Sequence, residues 1–213
     1  ADLIAAKQQR KKGLMQRLLS GEVRFPGFEG RGWREARLSD VAKINAASLS
    51  TDIAANCQFW YIDLSAVNKG KISFPQGTIS FADLPSRARR IIKKGDVMLA
   101  TVRPHLLGYA IYNLDAEDVL CSTGFAVLTP LLRSDTQLLY QSLYSASVQS
   151  QLQSLVIGSS YPAINASDVA EIRIMWPDSI EERATIGKLF QICDQELSLL
   201  QQKLAALQQQ KKG

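Results

Sequence analysis

The sequence predicts an α+β fold, a small β-rich domain with long coiled-coil-forming helices at the chain ends. Three observations point there. From Ile180 to Lys212 apolar residues fall at Ile186, Phe190, Cys193, Leu197, Leu200, Leu204 and Leu207, alternating steps of four and three, the pattern of a narrow seam meant for another helix. Between Trp33 and Ser167 short apolar runs alternate with turn residues, as in a chain of short strands. Residues 3–13, LIAAKQQRKKG, also match residues 203–213, KLAALQQQKKG, in register. A self-similarity at fixed offset is the mark of a tandem unit. It suggests one unit of a longer array that carries both copies of a junction helix.

In chain order, a first helix is expected from Asp2 to Leu19, stopping at Ser20-Gly21 because glycine commonly sits just past a helix end. Phe25 to Gly32 holds three glycines and a proline in eight residues and reads as a linker. Trp33–Leu38 and Ala42–Asn45 look extended around a short turn, and Cys57–Leu64 is aromatic-rich strand material. Asn68-Lys69-Gly70-Lys71 is a turn. Val97–Val102 is a continuous apolar run of buried-strand type, ended by Pro104. Leu107–Tyr112 and Val119–Leu128 read as further strands, Gln137–Leu155 as one helix, Gly158–Pro162 as a loop and Ile172–Trp176 as a last strand. Asp178 or Ser179 then caps the long helix, with Glu181 and Glu182 well placed in its first turn. The domain layout expected is 1–20 helix, 21–32 linker, 33–178 central domain and 179–213 long helix.

Composition narrows the function. No apolar run approaches the roughly 20 residues of a membrane span, and no signal peptide precedes the first helix, so a cytoplasmic protein is expected, without membrane contact. The three cysteines, Cys57, Cys121 and Cys193, are far apart and form no CxxC, which argues against a disulfide framework or a zinc site. The net charge of +5 is unevenly spread. Residues 1–24 hold six Lys or Arg against two acids, and the central domain is neutral overall. Within it Arg87, Arg89, Arg90, Lys93, Lys94 and Arg103 crowd into seventeen residues opposed only by Asp96. Concentrated charge on a neutral body suits phosphate neutralisation.

Signatures of catalysis are missing from the sequence. A methyltransferase acting on bases needs a Gly-rich cofactor loop and an Asn-Pro-Pro-aromatic segment, and neither occurs. His105 is the sole histidine and no GxSxG lies near it. Asp168 and Glu171 read as surface acids and not as a nuclease pair. No cofactor and no metal is expected.

Four segments carry a resemblance: Lys11–Phe25 (KKGLMQRLLSGEVRF), Thr101–Leu106 (TVRPHL), Ser122–Phe125 (STGF) and Gly158–Asn165 (GSSYPAIN). Together and in this order they resemble the DNA-specificity subunit of Type I restriction-modification systems. The resemblance covers nearly the whole chain. It implies one half of such a subunit: the end of a conserved helix, one target-recognition domain and a second conserved helix, the two helices pairing antiparallel. It further implies a non-catalytic protein that reads half of a split site in double-stranded DNA. It would hold modification (methyltransferase) subunits, which bind S-adenosylmethionine, and through them restriction subunits. Glu181-Glu182-Arg183 departs from the family, which shows Glu-Gln after a paired proline at this helix start.

The candidate DNA-binding residues follow from position. Arg103 and His105 flank Pro104 at the end of a buried strand, where side chains are free to leave a stiff support, and Arg103 is the expected base reader. Arg87, Arg89, Arg90, Lys93 and Lys94 are expected on phosphates. Ser159, Ser160 and Tyr161 offer donors and an aromatic face in a loop that Pro162 stiffens. The seven seam residues are expected to dimerise the chain or pair it with another half. Two other readings share some of these features: a stand-alone coiled-coil DNA-binding regulator, and a coiled-coil interaction protein without a nucleic-acid partner.

Overall fold

A computed structural model describes residues 2–156 and 162–211 of the chain. It divides into two compact units, Ala1–Glu35 with Met175–Gly213, and Ala36–Ile174. Helix α1 (Asp2–Leu18) is followed by strand β1 (Trp33–Arg37), the single turn α2 (Leu38–Val41) and β2 (Ala42–Ile44). Strands β3 (Gln58–Ile62), β4 (Val67–Asn68), β5 (Lys71–Ile72), β6 (Ile79–Ser80), β7 (Ala88–Ile91), β8 (Val97–Ala100), β9 (Tyr109–Ile111), β10 (Val119–Ser122) and β11 (Phe125–Pro130) come next. The chain closes with α3 (Thr136–Ser142), α4 (Ala146–Leu155), α5 (Ala166–Glu171), β12 (Arg173–Pro177) and α6 (Ile180–Gln210). This is the α+β class the sequence predicts, with the long helix at its end.

The larger unit is built on two four-stranded sheets, ordered β6-β3-β10-β7 and β2-β11-β8-β9. In the first, β3 and β10 run parallel with Val119 opposite Trp60; the other pairings of both sheets are antiparallel. Strands β10 and β11 follow each other in sequence yet belong to different sheets, because the chain turns at Thr123-Gly124. Gly124 makes a close approach there: a Cβ would lie 2.5 Å from Leu64 Cδ1, so that side chain would have to shift. The core contains Ile62, Val119 and Cys121 from one sheet and Met98, Ala100, Tyr112, Phe125 and Val127 from the other. Since side chains alternate along a strand, Met98 and Ala100 enter this core while Val97 and Leu99 turn to the opposite face. Helix α3 packs on β8 and β9, and β8 is therefore buried on both sides, which its unbroken apolar sequence anticipates.

One local expectation is corrected. Gln137–Leu155 is two helices and not one, because Ser145 adopts an extended backbone and its Oγ accepts the Val148 N–H at 3.3 Å, starting α4 afresh. Residues 166–171 form α5, where the Asp168 carboxylate accepts the Asn165 N–H at 3.2 Å. Asp168 is thus part of a helix start.

In the smaller unit α1 and α6 pack side by side and antiparallel, with Lys7 on Glu196 at 2.6 Å and Lys11 on Asp194 at 2.5 Å. Gly21, at φ 75°, ends the turn after α1, and a Cβ on it would meet the Trp33 ring at 3.0 Å. Ser179 caps α6, accepting the Glu182 N–H at 3.2 Å. Glu182 itself is fully buried. Arg24 holds it bidentately at 2.6 and 2.7 Å, and Trp33 Nε1–H donates to it at 3.1 Å. This bonding raises the Arg24 guanidinium above its ordinary value against the opposing effect of burial. The same guanidinium lies over the Trp33 ring, 5.3 Å from its centre. Glu182, in the first turn of the long helix, is the anchor of this unit.

Candidate nucleic-acid interface

The turn after β8 is held in a backbone conformation that only strong local constraints sustain. Arg103 (φ 49°, ψ 56°) and Leu107 (φ 56°, ψ 42°) are both left-handed, on either side of a short 3₁₀ turn, Pro104–Leu106. Such residues cost on the order of 1–3 kcal/mol each and persist where their surroundings fix them. Here the surroundings are explicit. The Arg103 N–H donates to Pro162 O at 2.8 Å, Thr101 N–H to Gly124 O at 2.8 Å, and Ile164 N–H to Thr101 O at 3.0 Å. The buried Tyr109 hydroxyl donates to Pro104 O at 3.0 Å. Burial raises that phenol above its ordinary value, so it remains a donor.

Around this turn lies a concavity of about 710 Å³ lined by Arg103, His105, Leu106, Arg87, Lys69 and Asp63 among others. Lys69 is brought there by the β4–β5 hairpin, its own φ at 45°, with its N–H donating to Leu107 O at 3.2 Å. The sequence reading saw this hairpin only as a turn. In the sequence a lone lysine between Asn68 and Gly70 carries no signal of what it faces. Arg87 is tethered: its guanidinium lies 3.1 Å from Asp63 and donates to the Tyr61 hydroxyl at 3.3 Å, which in turn donates to Asp63 at 3.1 Å. Burial opposes ionisation of Asp63, but the Ser65 N–H, the Tyr61 hydroxyl and Arg87 together hold its carboxyl below the usual range.

The basic run is not one face. Lys93 and Lys94 line a separate concavity of about 680 Å³ that also contains Asp115, Glu117 and Asp118, and Lys94 pairs with Asp115 at 2.5 Å. Arg89 Nε–H donates to Ser86 O at 3.1 Å. Arg90 is half-buried against Ser48, and its Nε is buried with no hydrogen-bond partner among the described residues. Asp96, the one acid in the run, is taken by Arg133 at 2.9 Å and by the Lys93 N–H at 2.9 Å. Of the expected contacts, the fold brings Arg103, His105 and Arg87 together and sets Lys93 and Lys94 elsewhere. Ser159, Ser160 and Tyr161 lie outside the described residues; Ala163, just beyond them, forms a bridge with Val102.

Along the seam, Ile186 and Phe190 are buried, Cys193, Leu197, Leu200 and Leu204 are partly covered, and Leu207 is 52% exposed. Leu14 of α1 and Leu189, Cys193 and Leu197 of α6 line a small hollow with Lys7 and Lys11 at its edge. Among the described residues no cluster of His, Cys, Asp or Glu is arranged for a metal, and no helix is long and apolar enough to cross a membrane.

Comparison with known proteins adds the following. Residues 30–209 match the family model for the Type I restriction modification DNA specificity domain. The MjaVIII specificity subunit of Methanocaldococcus jannaschii, a Type I restriction enzyme component, is 23% identical over 87% of this chain and 47% of its own length. The HindI specificity subunit of Haemophilus influenzae is 26% identical over 46% of this chain and 21% of its own. The HsdS subunit of Thermoanaerobacter tengcongensis has a similar structure, with TM-score 0.66 and 28% identity over 90% of this chain and 49% of that one. A chain solved in work on complex assembly and conformational transition of the type I R-M system gives TM-score 0.67 at 28% identity, over 84% of this chain and 47% of that one. This chain thus spans about half the length, or less, of the relatives it matches. The family model covers most of the chain, and the chain belongs to the Type I restriction modification DNA specificity domain family.

Proposed function

We propose that this chain recognises one half of a bipartite site in double-stranded DNA and scaffolds the methyltransferase subunits of a Type I restriction-modification system. Through them it would engage the restriction subunits. The observation that carries the DNA reading is the strained turn at Arg103–Leu107, presented over a concavity that gathers Arg87, Lys69 and His105. Guanidinium and imidazole groups on a fixed backbone suit base edges, and Lys69 with Arg87 and Arg89 suit phosphates. The recognition domain is assigned to residues 33–178, with residues 1–20 and 179–213 as the conserved helices and 21–32 as linker. The chain acts without chemistry of its own and in the cytoplasm, and the cofactor belongs to the methyltransferase partner.

The less covered end of the α6 seam, from the partly covered Leu197 and Leu204 to the exposed Leu207, is assigned to pairing with a second copy or another half. Two identical readers related by a two-fold axis read an inverted repeat. The test combines a gel-shift series over salt concentration with co-purification against a methyltransferase subunit. Arg103→Ala is expected to lower binding to a selected sequence while sparing nonspecific binding. Neutralising Arg87 and Arg89 is expected to flatten the salt dependence. No salt-dependent shift would overturn the DNA reading. A shift without co-purification would favour a stand-alone regulator.

A further inference from the structure

Leu106 stands on the Pro104–Leu106 turn with its side chain 56% exposed, next to His105 and three residues from Arg103. One exposed leucine is ordinary on a protein surface. This one differs in how it is held. The left-handed residues Arg103 and Leu107 bracket it, its own N–H donates to Arg103 O at 2.9 Å, and Leu107 N–H donates to Pro104 O at 3.0 Å. Pro104, at the start of the turn, is buried. The backbone entropy of presenting this side chain is already spent in folding, and only a rotamer cost below about 1 kcal/mol remains for binding.

The turn is also a ridge. On one side lies the concavity of about 710 Å³ with Arg87 and Lys69, and on the other a concavity of about 470 Å³ lined by Gln149, Leu152 and Gln153. His105 and Leu107 line both. A ridge between two hollows is the shape that enters a groove while the flanking strands settle to either side. The major groove is about 12 Å wide, and thymine alone presents a methyl group on that edge. Resting on the DNA reading above, we propose that Leu106 is a specificity-determining residue that packs against the C5-methyl of a thymine in the major groove, beside the base contacted by Arg103.

The test starts with duplexes selected from a random pool by the chain. Each thymine of the selected half-site is then replaced by uracil, which removes only the methyl group. One replacement is expected to weaken wild-type binding about fourfold, the equivalent of ~0.8 kcal/mol for one buried methyl-sized group. Leu106→Ala should bind the thymine duplex about fourfold more weakly, bind thymine and uracil duplexes alike, and melt at the wild-type temperature. Harmless uracil at every position, a half-site without an invariant thymine, or undiminished uracil sensitivity in Leu106→Ala would each overturn the assignment. If no sequence is selected at all, the DNA reading falls and Leu106 with it. A selected sequence without methyl dependence overturns Leu106 alone.

Discussion

Removing Arg24 should cost far more than removing an ordinary surface cation. The Glu182 side chain is 0% exposed and that of Arg24 17% exposed, so the pair has little water to fall back on. In Arg24→Met the carboxylate loses two charge-assisted bonds at 2.6 and 2.7 Å and keeps only the Trp33 indole donor and whatever water can reach it. A buried pair broken on one side costs about 3–5 kcal/mol, against 0–1 kcal/mol for an exposed pair. For a chain of this size each kcal/mol moves the midpoint by about 2–4 °C, which gives a drop of about 6–20 °C. Far-UV circular dichroism follows the helices, and hydrogen exchange along α6 assigns the loss to the smaller unit. The control is Arg24→Met with Glu182→Leu, which removes both charges and should recover most of the loss, because no orphaned charge remains. A single variant that loses less than about 1 kcal/mol, or a double variant no more stable than the single, would refute the reasoning.

Asp63→Asn should free Arg87 from its ion pair and strengthen nonspecific DNA binding, measured by gel shift at low salt. The same variant should change acid sensitivity. Asp63 has its carboxyl depressed in the fold, so its stabilisation is complete above the unfolded value of about 3.9 and is lost as pH falls through the lower folded value. Wild type should therefore lose more stability than Asp63→Asn below about pH 4, read from melting curves across pH. Ser145→Ala removes the cap of α4 and should cost about 1 kcal/mol in urea unfolding. Leu204→Glu with Leu207→Glu should abolish association of two copies in sedimentation without changing the melting of the monomer, since both side chains are at most partly covered.

How much of this was legible in the sequence differs by the range of the interaction involved. The long helix, its serine cap and the buried strand Val97–Ala100 could be read because periodicity and capping act within a few residues. Lys7 and Lys11 form ion pairs with Glu196 and Asp194 from the far end of the chain, which no local pattern announces. The Glu182 anchor was hidden for the same reason: its partner lies 158 residues away. The crowding of Arg87 to Lys94 was real as sequence, yet charge in a run says nothing of which acids will face it. Asp63 and Asp115, from other segments, divided the run into two settings. The turn that carries Arg103 and His105 was legible because a proline after a buried strand restricts the backbone locally. That Arg103 and Leu107 are left-handed was not, since such conformations depend on the contacts that hold them.

Strands β1 and β12 pair, with Leu38 N–H donating to Ile172 O at 2.9 Å in the larger unit and Asp178 N–H to Gly32 O at 3.0 Å in the smaller. Each unit thus has its incoming and outgoing strands side by side. The sequence between the two strands can diverge or lengthen while its two ends stay about one strand spacing, ~4.8 Å, apart. Changes between the two strands and changes in the helical unit then fall on separate stretches of chain, so the first can accumulate without rebuilding the unit that carries Glu182.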